Sequence, residues 1–145
     1  MNTSTRWAIA LLMGATVFRA QTLLFLPSVE FLGGPAPDAW FGPWLSDAML
    51  GVLVPLMVYA FWVRRSIRVW GVLVVYNALG AFDYSHGLLT QALHPMPAEM
   101  ASPMTVYAGI GVFLACQLVA LALLFQCNVI EHFSAAHDVL RRETV

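Results

Sequence analysis

A chain of 145 residues that is 60% hydrophobic and only 10% charged lies far from the roughly 25% charged residues of a soluble domain, and its mean hydropathy of +0.75 assigns it to a bilayer. A net charge of −1, with no lysine and no extended stripe of arginine, leaves nucleic acid without support as a partner. The sequence has no Cys-x-x-Cys pair, serine nucleophile elbow, glycine-rich phosphate loop or paired membrane histidines for haem, which removes the enzyme classes built on them, and no cofactor is expected.

Four apolar stretches, 7–26, 44–63, 69–90 and 104–129, each reach the roughly 20 residues that carry a helix across about 30 Å of hydrocarbon. The connections are too short to hold a domain of their own. The sequence therefore predicts an all-α integral membrane protein, a single membrane domain over residues 1–145 built as a four-transmembrane-helix up-down bundle. Short loops rich in arginine stay in the cytoplasm. Arg6 precedes the first span, Arg64, Arg65 and Arg68 fill the second connection, and Arg141 and Arg142 lie in the tail, whereas the first and third connections carry no Arg or Lys. Both termini are expected in the cytoplasm, with the inner (plasma) membrane of a bacterium as the expected location.

The first span opens at Trp7 and runs to Leu26-Pro27, where proline marks its end. Its apolar run continues past Phe18, and Phe18-Arg19-Ala20 is a poor small-x-small cleavage site, so it reads as a retained span rather than a signal peptide. Arg19 lies 12 residues beyond Trp7, about 18 Å along the axis and in the outer half of the bilayer. It can snorkel to the outer headgroups or pair inside the bundle, and pairing is the expectation.

In the first connection, Gly33-Gly34-Pro35-Ala36-Pro37 argues against regular structure. Trp40, Phe41 and Trp44 are expected at the outer interface, as a surface or re-entrant segment covering the bundle mouth. The second span starts near Pro43 with Asp47 close behind, an arrangement that suits a helix start as well as an intramembrane charge. Pro55 predicts a kink.

The third span carries Asn77, Asp83 and His86. Asp83 is 13 residues beyond Trp70 and Asp47 is 15 residues above Trp62, about 20 and 22 Å up, the level of Arg19. A charge in hydrocarbon costs about 2.5 to 3.5 kcal/mol on insertion scales, so three at one depth point to a shared layer. His86, at i+3 from Asp83, is placed to exchange a hydrogen bond with it, and Gly80 and Gly87 let another helix come close. His86 and His94 lack metal-ligand spacing, and no metal site is expected.

The fourth span holds Tyr107 near its outer end and Gln117 near its middle, with Gly111 and Ala115 as a small-xxx-small pair. Cys116 and Cys127 are 11 residues apart, roughly 16 Å along a helix, too far to bridge; they read as small buried hydrophobes. The tail 130–145 alternates apolar and charged residues with a helical period, which predicts an amphipathic cytoplasmic helix on the membrane surface or against a partner.

One arginine against two aspartates leaves a carboxylate in need of a proton, of His86 or of a ligand. Arg19, Asp47, Asn77, Tyr107 and Gln117 are the ligand-binding candidates; Asp83 and His86 are the catalytic, proton-trading pair if the protein is an enzyme. The leading expectation is a non-catalytic accessory subunit of a larger membrane complex, the charged layer fixing helix register. The alternative is a membrane enzyme or binding protein for an amphiphilic small molecule such as a quinone, a sterol-like lipid or an isoprenoid. A transporter or proton path would require oligomers. The expected partners are the lipid bilayer, together with other subunits, further copies of the chain, or the amphiphile.

Overall fold

The computed structural model describes residues 1–142, with side chains to Ser134, and every regular element in it is helical. Asn2 opens the first helix, its Oδ1 accepting from Thr5 N at 2.7 Å, as an N-cap should. Helix α1, Thr3–Ala15, then tightens into a 3₁₀ stretch, Thr16–Gln21. Threonine hydroxyls flank it: Thr16 Oγ1 donates to Met13 O and Thr22 Oγ1 to Arg19 O, at 2.6 and 2.7 Å. Such back-bonds compete for the carbonyls of a regular ladder. Helix α2, Thr22–Phe25, a 3₁₀ turn Leu26–Ser28 and α3, Val29–Leu32, complete the column. Pro27 does not end it, because proline fits the first turn of a new helical segment, where its missing N–H is not needed.

The chain reverses at Gly33–Pro35. Gly34 has φ 68°, and a Cβ there would lie 2.9 Å from Pro97 Cδ, so this corner requires glycine. Helix α4, Pro37–Val63, begins earlier than expected and continues through Pro43 and Pro55. Regular structure thus reaches almost to the turn, and Trp40 belongs to a helix rather than to a surface loop. Helix α5 spans Ile67–Leu93, capped by Ser66, and α6 spans Pro103–Leu124, capped by Ser102. Where a span to 129 was expected, Phe125 N and Gln126 N bond back to Ala122 O and Leu123 O. That tight last turn stops α6, and α7, Cys127–Arg142, starts afresh. Cys127 is consequently exposed at the new start, whereas Cys116 is half-buried. The tail residues 135–145, whose apolar and charged alternation suggested an amphipathic helix, lie outside the described side chains.

Among the described residues, three stretches are long and apolar enough to cross a membrane: Thr3–Leu32, Pro37–Val63 and Pro103–Leu124. Helix α5 is as long as α4, at 27 residues, but Asn77, Asp83, His86, Thr90 and Gln91 dilute its apolar character. Neighbouring columns run antiparallel. Arg6 Nη2 donates to Trp62 O at 2.7 Å and Trp70 Nε1 to Leu124 O at 2.8 Å, which tie the start of one helix to the end of another; Trp40 Nε1 donates to His94 O at 2.9 Å at the opposite end.

The apolar core fills the half near Arg6 and Trp62, with Ile9, Met13, Phe61, Leu73 and Leu124 fully or almost fully buried. Helix α7 closes that end, Phe133 packing on Phe61 with ring centroids 6.1 Å apart. The other half is built differently, around charges and a cavity.

Candidate functional site

Arg19 sits in the 3₁₀ stretch, where α4 comes closest to the first column. Gly51 makes that approach possible, because a Cβ there would collide with the backbone of Ala20. Pro55, four residues on, withholds the amide that would bond to the Gly51 carbonyl. The Arg19 side chain is wholly buried. Its Nε donates to Asp47 Oδ1 on α4 at 2.7 Å, and its Nη2 donates to Asp83 Oδ2 on α5. Its Cζ lies 4.2 Å from the centre of the Tyr84 ring, in cation–π range. Ser46 Oγ donates to the other oxygen of Asp83.

The two carboxylates are not equivalent. Asp83 has both oxygens occupied and a side chain only 9% exposed; Asp47 accepts from Arg19, lies against Asp83, and has a side chain 20% exposed. Breaking a buried pair by removing one partner costs about 3–5 kcal/mol, because the remaining charge is stranded.

The fourth column contributes from behind. Gln117 of α6 is fully buried, and neither atom of its carboxamide has a partner; Arg19 Nη1 is likewise unpartnered. A Cβ on Gly80 would lie 2.6 Å from Gln117 Nε2 and 3.0 Å from Arg19 Nη1. Glycine at 80 therefore leaves room for two side chains rather than for a helix backbone.

In front of the layer lies a cavity of about 350 Å³, within the range of small-molecule sites. Arg19, Asp47 and Asp83 form its polar floor, and its walls are aromatic: Phe18, Phe25, Trp40, Trp44, Tyr84 and Phe113. Trp44 bridges the cluster, its ring 5.9 Å from Trp40 and 6.1 Å from Phe25, and Tyr84 stacks on Phe113 at 5.9 Å. Met96 and Met100 of the third connection complete the lining. The cavity lies between the first column and α6, with the exposed Phe18 at its edge.

The structure brings Arg19, Asp47 and Asp83 together, with Gln117 behind them. Asn77 is buried on the same face of α5, but its Nδ2 donates to Leu73 O at 2.8 Å and it does not line the cavity. Tyr107 is 39% exposed on the outside of α6 and also stands away from the cavity. His86 is not part of the layer: it is exposed, and the Asp83 oxygens it was expected to meet bond to Arg19 and Ser46. The reason lies in its position around the helix. His86 continues the outward stripe Val75, Leu79, Phe82, Leu89 and Leu93, of which Phe82 is 73% exposed.

Tyr84 and Ser46 were not anticipated. Tyr84 could have been found, since it repeats at i+4 from Gly80 and i+7 from Asn77 on the inward face. Nothing in the local sequence singles out Ser46. No family model, curated protein or solved structure matches the chain.

Proposed function

We propose that this chain is an integral membrane protein whose four columns all cross the bilayer, with both termini cytoplasmic, and that it binds an amphiphilic small molecule in the outer half of the bundle. The observation that carries this reading is the cavity: an aromatic-walled space of about 350 Å³ whose charged surface, among the described residues, is the Arg19–Asp47–Asp83 floor. Convergent polar groups at one end of an apolar pocket are what an amphiphile needs. The arginines Arg6, Arg64, Arg65 and Arg68 all fall at the opposite end of the bundle, which supports the orientation.

Purification from native membranes in mild detergent, followed by intact native mass spectrometry, tests it. A single protein or homo-oligomer retaining a bound mass of a few hundred daltons is the expected result.

Helix α6 favours a second reading, an accessory subunit. Among the described residues it buries only Gln117, Ala120 and Leu124, and nothing described lies within 4 Å of where a Cβ would sit on Gly111, which with the exposed Ala115 one turn on leaves a small-residue face for another helix. Recovery of a defined larger assembly with no bound small molecule would select it.

A further inference from the structure

The occupant's head group can be narrowed by counting charges and hydrogen-bonding groups on the cavity floor; this rests on the binding reading above. The geometry points to an amphiphile with a protonated amine, its ammonium on Asp47 and its tail running past Phe18 towards the lipid.

The floor holds one guanidinium and two carboxylates, so with both aspartates ionised it lacks one positive charge. No other cation among the described residues is near. Arg6 is held at the far end by Trp62, and His86 faces outward. Both oxygens of Asp83 accept hydrogen bonds, from Arg19 and Ser46, whereas Asp47, which lies against Asp83, accepts one, from Arg19, and its carboxylate borders the cavity. With Asp47 ionised, the missing charge falls to a group in the cavity beside it.

The floor also offers acceptors rather than donors. Arg19 Nε and Nη2 are used by the two aspartates, and the unpartnered Nη1 lies towards Gln117, which does not line the cavity. A carbonyl head group would find those donors already engaged, and a carboxylate or phosphate head would meet two negative charges. An ammonium brings three donors and no acceptor. The Asp47 carboxylate can take one. The walls suit the same group, because aromatic faces attract cations. Trp40, Trp44 and Phe25 form one such cluster and Tyr84 with Phe113 another.

The test uses the full chain in phosphatidylcholine nanodiscs at pH 7, with tryptophan fluorescence titrated by dodecylamine, dodecanol, 2-dodecanone and dodecanoate. Saturable binding of dodecylamine at least about ten-fold tighter than of the other three is expected. Asp47→Asn should remove that preference, so that dodecylamine binds no tighter than dodecanol. Equal or tighter binding of the alcohol, ketone or carboxylate overturns the amine assignment and leaves the binding reading standing. No saturable binding by any of the four overturns both. The ranking in the unaltered protein decides the matter even if Asp47→Asn fails to fold.

Discussion

Gly51 of α4 faces Ala20 so closely that a Cβ on the glycine would sit 2.7 Å from Ala20 Cα and 2.7 Å from Arg19 Cγ. Backbone cannot step aside as a side chain can. Gly51→Ala should therefore cost at least the roughly 1–3 kcal/mol of an overpacked core, and more than Gly80→Ala, where the obstructing atoms are the ends of Gln117 and Arg19. Gly71→Ala and Gly109→Ala, with open space at both sites, should be neutral or stabilising by up to about 1 kcal/mol through helix propensity. Thermal denaturation in detergent gives the ranking, and Gly51→Ala melting with the wild type would refute the close approach.

Arg19 is shared by two carboxylates, so its removal should be the most damaging single change in the layer. Arg19→Met is expected to lose about 3–5 kcal/mol. The triple change Arg19→Met, Asp47→Asn, Asp83→Asn should be milder than the sum of the single effects, since it strands no charge. Chemical denaturation of the set measures the coupling, and strict additivity would contradict the ion-pair geometry.

The two aspartates should separate by phenotype. Asp83→Asn breaks contacts to Arg19 and Ser46 and should lower stability by about 1–3 kcal/mol. Asp47→Asn loses one contact at a partly exposed site and should lower stability less. Unfolding midpoints that fall equally for both would remove the distinction between a structural and a ligand-facing carboxylate.

His86→Leu extends an outward apolar stripe and should leave ligand binding within about two-fold and stability unchanged or slightly higher, given the cost of polar groups facing lipid. A large loss of binding would restore His86 to the site. Tyr107→Phe should likewise leave binding unchanged.

At the other end, burial, and then the positive charges of Arg65, the N-terminus and Arg6, lower the pKa of His132 below its usual 6.5. The folded state thus favours the neutral ring, while the unfolded chain takes up a proton near pH 6.5. Stability from this source is present above pH 6.5 and is lost as pH falls from there towards the lowered value. The ring is only partly buried, so the effect is small. Melting temperatures at pH 7.5 and 5.5 should differ less in His132→Gln than in the wild type; an unchanged difference would dissociate His132 from the acid response.

How far the site could be read in advance follows from helix geometry. Counting residues from the interfacial tryptophans gives depth, because rise per residue is nearly constant, and depth placed Arg19, Asp47 and Asp83 on one level. The azimuth around each helix depends on which neighbours pack against it, and there the reading failed for His86 and Tyr107 and missed Tyr84. The cavity was less legible still. Its walls come from the first column beyond α1, from α4 and α5, from the third connection and from α6, and the aromatics that form them resemble the interfacial anchors of any membrane helix. The end of α6 at Leu124 was hidden for a similar reason: the apolar run continues into α7, whose Val129 and Phe133 serve the core from another direction.

The six residues of 3₁₀ winding in the first column, Thr16–Gln21, have one more effect. At three residues per turn, side chains three apart eclipse one another, whereas in an α-helix each such step would drift by about 60°. Thr16, Arg19 and Thr22, all buried, therefore stand in a single vertical file instead of fanning around the helix. The tighter winding also lengthens this stretch by about 3 Å relative to α geometry. A local change of pitch thus sorts the column into a narrow polar edge, turned inward, and an uncharged outer surface carrying Val17, Phe18, Leu23 and Leu24, so one arginine can lie deep in a bilayer helix without presenting charge to lipid.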